Sequence, residues 1–148
     1  MSNFLTDGRL ALLEAFKNDS DIASAVKNWF EYGSGLKRRR ELEAALCPFL
    51  ALAPEEGELE RVANVQREIP QVLRVDLATE GQDARPVESL AAMVIERVRQ
   101  SNEDCLGLAG QGLAAVRVRG LKWEAVPAKS GPRIIWTASI PVQLLWRR

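Results

Sequence analysis

The chain has no histidine at all. That absence removes the commonest general acid–base group and the commonest metal ligand. Its two cysteines, Cys47 and Cys105, lie far apart in the sequence. Such a pair neither builds a disulfide framework nor makes a zinc site by itself, and it fits a reducing compartment. Aromatic residues make up 6% of the chain, with a single tyrosine. No apolar run approaches the ~20 residues that cross a bilayer, so no membrane partner is expected. No charged segment followed by an apolar stretch opens the sequence, and no signal peptide is expected. The formal net charge is zero, so no overall field draws the protein to nucleic acid or to a membrane surface.

Catalytic signatures are also missing. There is no Gly-x-x-x-x-Gly-Lys-[Ser/Thr] phosphate loop. Gly107-Leu108-Ala109-Gly110-Gln111-Gly112 is rich in glycine, but it follows no clear strand and opens no helix, so it reads as a flexible connection rather than a nucleotide site. Asp76, Glu80 and Asp83 gather near the end of an expected strand, and a solvated face is their default reading. Neither an enzymatic activity, a cofactor nor a bound metal is expected.

What the chain does have is the composition of an ordinary globular protein, 47% hydrophobic and 27% charged over 148 residues, which favours a single domain spanning 1–148. The neutral balance hides a division. Glu55, Glu56, Glu58 and Glu60 crowd one stretch, whereas Arg117, Arg119, Lys122, Lys129, Arg133, Arg147 and Arg148 make the C-terminal part basic. Opposite patches suit either head-to-tail contacts between copies or a plain solvated surface.

The sharpest periodicity lies near the C-terminus. Ile134, Trp136, Ala138, Ile140, Val142, Leu144 and Trp146 occupy alternate positions, which places them on one face of a strand roughly 40 Å long. A domain of this size has difficulty covering such a strand alone. Contact with another subunit is therefore expected at its end, through Leu145, Trp146, Arg147 and Arg148, with Trp146 as the aromatic anchor. Trp29 and Trp136 are expected in the core.

The other elements follow from local signals. A helix is predicted over Leu5 to Phe16, and a second carries Ile22, Ala25, Val26 and Trp29 until Gly33-Ser34-Gly35 stops it. Leu46 to Ala53 reads as a short buried strand, with Pro48 marking an edge position or a late start. A strand with one wet face follows over Val65 to Leu77, bent or at an edge near Pro70. Pro86 opens a helix whose stripe is Val87, Leu90, Ala91, Val94 and Val98, ending near Arg99. Leu113 to Val126 is strand-like with a bulge at Gly120, and it should form an antiparallel hairpin with the final strand. The strand–helix–strand stretch from Leu73 to Val118 could be a right-handed crossover. The expected class is an α/β, or α+β two-layer, fold: a mixed sheet of about four strands with a long C-terminal hairpin, packed against three helices.

Lys37, Arg38, Arg39 and Arg40 form the sharpest run of charge. They suit contact with phosphates or with an acidic partner surface, and equally a solvated loop leading into Glu41 and Glu43.

This layout resembles the tail terminator (tail completion) proteins of long-tailed bacteriophages and prophages. The likeness rests on chain length, the two opening helices, the strands around Cys47-Pro48-Phe49-Leu50 and Val75-Asp76-Leu77, the helix from Val87 to Arg99, the loop from Asn102 to Gly112 and the terminal strand Ile135 to Val142. The resemblance implies a structural virion protein that forms a hexameric ring at the head-proximal end of the tail tube. Such a ring stops polymerisation of the tail-tube protein, offers a joining surface to the head connector or neck protein, and lets DNA pass through its lumen without sequence recognition. It implies assembly in the host cytoplasm and residence in the virion tail, with Lys37, Arg38, Arg39 and Arg40 facing the lumen or the tube. The alternatives are another head–tail joining, neck or minor tail protein, or a small binding module that uses the basic run.

Overall fold

The structure, a computed structural model, describes residues 3–31, 46–54, 68–128 and 132–148. Two helices open the chain. Helix α1 spans Phe4–Lys17 and is capped by Asn3, whose side chain accepts from the Thr6 N–H. Helix α2 spans Ser20–Ala25 and is capped by Asp19, which accepts from the N–H groups of Asp21 and Ile22. These side-chain acceptors satisfy amide donors that a helix start leaves unpaired. Val26 is extended and ends α2. The N–H groups of Lys27 and Asn28 then donate to the Pro48 carbonyl. Trp29 consequently lies in a strand, β1 (Asn28–Glu31), and not in the second helix that its spacing predicts. Gly33-Ser34-Gly35 lies outside the described residues.

Strand β2 spans Phe49–Pro54 and β3 spans Glu68–Glu80. Helix α3 spans Arg85–Asp104 with Pro86 in its first turn, and Val87, Leu90, Ala91, Val94 and Val98 are all buried as their spacing predicts. It runs past Arg99, and two short 3₁₀ turns (Cys105–Gly107 and Ala109–Gln111) lead to β4 (Leu113–Val118). Strands β5 (Lys122–Pro127) and β6 (Ile134–Arg147) close the fold.

These elements make an α+β protein with a mixed sheet in the order β1-β2-β3-β6-β4, with β5 also paired to β6. The first pair, β1 and β2, is parallel, and the remaining pairs are antiparallel. Among the described residues there are six strands where about four are expected from the sequence. One extra strand is β1. The other arises because Leu113 to Val126 is not one bulged strand but two. Both parts pair with β6, β4 against its second half and β5 against its first. The break falls at Arg119-Gly120-Leu121, opposite Pro141, which has no N–H to give; the Arg119 N–H donates to the Pro141 carbonyl instead. The expected hairpin is present as β5–β6. Strands β3 and β4 both run antiparallel to β6 and so are parallel to each other, with β6 between them.

Leu46–Pro48 precedes β2, so Pro48 marks a late start, and β2 is an interior strand between β1 and β3. At Pro70 the strand has β6 as its described neighbour, because β2 ends with Pro54 opposite Leu73. A missing N–H is tolerated at such an edge.

The core lies between the helices and one face of the sheet. It joins Leu12, Phe16 and Ile22 to Leu50, Leu73, Val75 and Leu77, and to Ala138, Ile140, Val142, Leu144 and Trp146 of β6. Trp29 and Trp136 pack against it partly buried. On the other face a smaller apolar group gathers Phe49, Ala51, Ala78, Ala128 and Ile135, while Arg74, Asp76 and Ser139 form a polar strip.

Candidate functional site

The end of β6 is where a subunit contact is expected, and the structure corrects that expectation for Trp146. Its side chain is 0% exposed within one chain. Phe4 meets the indole edge-on, with ring centroids 5.0 Å apart. Trp146 Nε1 donates to Gln71 Oε1 at 2.9 Å, and Gln71 Nε2 donates to the Leu5 carbonyl at 2.8 Å. Helix α1 thus covers the indole and is tied down beside it.

The neighbouring arginines are exposed but engaged. Arg147 Nε donates to Glu68 Oε1 at 3.1 Å. Arg148 Nη1 donates to the Gln111 carbonyl at 2.9 Å, and its guanidinium lies 4.3 Å from the Phe4 ring centre. Leu145 is half-buried on the face opposite the helices. The long strand is paired along nearly its whole length because β3 is almost as long and runs beside it from Glu68↔Arg147 to Glu80↔Ile135. Strands β4 and β5 share its other edge.

The exposed apolar surface lies instead at the far end of the same hairpin. Among the described residues, three of the five exposed large hydrophobic side chains are there: Leu121, Trp123 and Ile134, at 40%, 46% and 43% exposure. The pairings Trp123↔Ala138, Ala125↔Trp136 and Pro127↔Ile134 place Trp123, Ala125, Pro127, Ile134 and Trp136 on the helix-bearing face. Helix α3 packs on β3, β6 and β4, which leaves this corner uncovered. A groove of about 370 Å³ runs between Ala84 and Glu88 on one side and Trp123, Ala125 and Trp136 on the other. Trp136 is fixed there by donation from its Nε1 to the Gly81 carbonyl.

Among the described residues, β5 has β6 as its sole strand partner, so its outer edge carries backbone donors and acceptors available to another strand. An exposed tryptophan on an edge strand, beside an apolar groove, is a physically sound place for a protein contact. The sequence signal for it was parity: Leu121, Trp123 and Ala125 alternate with Lys122 and Glu124.

The three carboxylates singled out in the sequence are each engaged with a different arginine. Asp76 accepts from Arg74 Nε and Ser139 Oγ, both at 2.9 Å. Glu80 faces Arg133 at 3.7 Å. Asp83 accepts from the backbone and side chain of Arg85, and the backbone hydrogen bond leads the effects holding its carboxyl below the usual range. Burial pushes the Cys47 thiol up to about 11, with the negative charge of Glu80 adding to the shift, so it stays protonated and is a poor nucleophile.

The Gly107–Gly112 stretch carries the second 3₁₀ turn and leads into β4. Gly112 has φ +103, and a Cβ there would lie 2.5 Å from the Arg147 carbonyl oxygen, while its own carbonyl accepts from the Arg147 N–H at 2.7 Å. Lys37, Arg38, Arg39 and Arg40 lie outside the described residues, as do Glu55 to Glu60. Among the described residues, no helix is long and apolar enough to cross a membrane, and no three His, Cys, Asp or Glu side chains group to hold a metal ion.

No family model matches the chain, and no curated protein does. Among solved structures, the chain is similar to a chain from the virion of a native gene transfer agent particle. The two share 11% identity with a TM-score of 0.46, over 97% of this chain and 99% of the other.

Proposed function

We propose that the protein is a structural virion component that joins copies of itself into a ring at the head-proximal end of a phage tail, ends polymerisation of the tail tube and presents a joining surface to the head. The observation that carries this reading is the β5 corner: an open strand edge bearing Trp123, flanked by Leu121 and Ile134. A ring needs two unlike surfaces on each copy that meet by a closing rotation. Among the described residues, β1 has β2 as its sole strand partner and β5 has β6, so the two open edges lie on opposite sides of the sheet and offer two unlike surfaces. The arrangement of helices, sheet and closing hairpin supports it, since it follows the layout on which the resemblance to tail terminators rests.

Within this reading, the contact is at Trp123 of β5 and not at Trp146, while at the end of β6 Leu145 is half-buried and Arg147 and Arg148 are exposed. The tail-tube protein, the head connector and DNA in the lumen are the partners such a ring would have. Electron microscopy of particles made without the protein tests the role. Overlong or unattached tails are expected for a terminator; leaking heads with tails of normal length would assign it to head closure and overturn termination.

A further inference from the structure

The face of the sheet turned away from the helices carries a row of cations on its β4–β5 side, and strand β6 fixes their places. Val142 and Leu144 of β6 belong to the core under the helices, so Gln143 and Ser139, at odd positions, lie on the other face. Arg117 stands opposite Gln143 and Lys122 opposite Ser139, and side chains directly opposite each other share a face. Arg119 lies between them: its N–H donates to the Pro141 carbonyl, and its Nη1 donates to Gln143 Oε1 at 3.3 Å. The three cations therefore stand beside Gln143, Pro141 and Ser139, at even steps of roughly 6–7 Å along β6.

All three are exposed, and among the described residues none of them is in an ion pair. The acids on the β3 side of this face are already engaged. Asp76 accepts from Arg74 and Ser139, and Glu68 accepts from Arg147. Glu124 shares the face from its place opposite Thr137, and the row keeps an excess of positive charge with that carboxylate beside it. Ser139 and Pro141 are short, so a broad ligand can reach all three heads together. Phe30 and Phe49 share this face, but they stand across the sheet on β1 and β2 and meet each other edge-on. Among the described residues, the row therefore holds no ring on which a base could stack.

An even row of arginine and lysine heads on an open surface is complementary to a chain of phosphates, and each guanidinium can give two parallel hydrogen bonds to one phosphate. The even step favours a polymer with one charge per repeat over an acidic protein segment, whose carboxylates have no fixed spacing. We propose that this row binds the sugar–phosphate backbone of a nucleic acid, with Arg117, Arg119 and Lys122 each on a phosphate and with no reading of sequence. Lys122 and Trp123 are neighbours on opposite faces of β5, so the row is separate from the Trp123 contact and does not rest on the tail reading.

The test is fluorescence anisotropy of a short labelled DNA duplex titrated with the full chain at several sodium chloride concentrations. Three phosphate contacts per bound chain predict that log K falls against log salt with a slope of about −2.7. A duplex of different sequence should bind equally. The variant Arg117→Gln/Arg119→Gln should bind at least about tenfold more weakly at low salt, with a slope shallower by about 2. Arg85→Gln/Arg99→Gln removes the same charge from exposed positions of α3 and should keep the native slope. Circular dichroism confirms that each variant is folded. Absence of binding at low salt, or an equal loss in the α3 variant, would overturn the proposal. An unchanged slope in Arg117→Gln/Arg119→Gln would place binding elsewhere, as at Lys37 to Arg40, and overturn it too. Displacement of the duplex by polyglutamate at equal charge would assign the row to an acidic protein surface instead of a nucleic acid.

Discussion

The indole of Trp146 rests on the bare α-carbon of Gly8. A Cβ at position 8 would lie 2.7 Å from Trp146 Cζ2 and 2.8 Å from Leu144 Cδ2. Glycine is a poor helix residue, and its presence in the middle of α1 is explained by this approach. Gly8→Ala gains helix propensity but forces the packed indole to move. We expect a net loss of about 1–3 kcal/mol, read as a lower urea midpoint with an unchanged m-value. Trp146→Ala, which empties the same site, should cost about 3–5 kcal/mol.

Cys47 gives a pH dependence with a defined sign. Its thiol titrates at about 11 in the folded chain against an ordinary 9.0. Between those values the unfolded chain has lost the proton and the folded chain still holds it. Stability should therefore fall as pH rises from about 9 to about 11, and Cys47→Ala should flatten that part of the profile. Alkylation by iodoacetamide at pH 8 should be slower at Cys47 in the folded protein than in urea, checked by peptide mass spectrometry.

Asn102 ties the end of α3 to the sheet, since its Oδ1 accepts from the Val116 N–H at 2.9 Å. Asn102→Ala leaves that part-buried amide without its acceptor. The expected cost is about 1–2 kcal/mol, measured as a fall in melting temperature, and Asn102→Asp should retain most of the stability.

Much of this architecture was legible in the sequence, and the misses have physical causes. The stripe Val87–Val98 is buried throughout and the alternation along β6 is buried from Ala138 to Trp146, and both appear where periodicity places them. The short strand β1 was hidden because Trp29 sits at helical spacing from Ala25 and Val26, and only pairing with the distant β2 decides its conformation. The end of α3 was set too early. No glycine follows until Gly107, and Cys105 takes the left-handed cap conformation that glycine usually supplies. The surface was misplaced for a similar reason. The length of β6 was visible, but not the equal length of β3 beside it or the fold of α1 over Trp146, both of which depend on contacts distant in sequence. Trp123 carried a signal in its alternation with Lys122 and Glu124, yet exposure of that corner follows from where α3 crosses the sheet.

The role of the β5 corner is tested most directly by the mass of the protein in solution. Multi-angle light scattering is run on the 16.4 kDa chain and on Trp123→Lys over a wide concentration range, alone and with tail-tube protein. The native chain is expected to form a discrete oligomer, a hexamer in the ring reading, and Trp123→Lys to remain monomeric with an unchanged circular dichroism spectrum. A native chain that stays monomeric under every condition, or a Trp123→Lys variant that assembles as well as the native chain, would contradict the account.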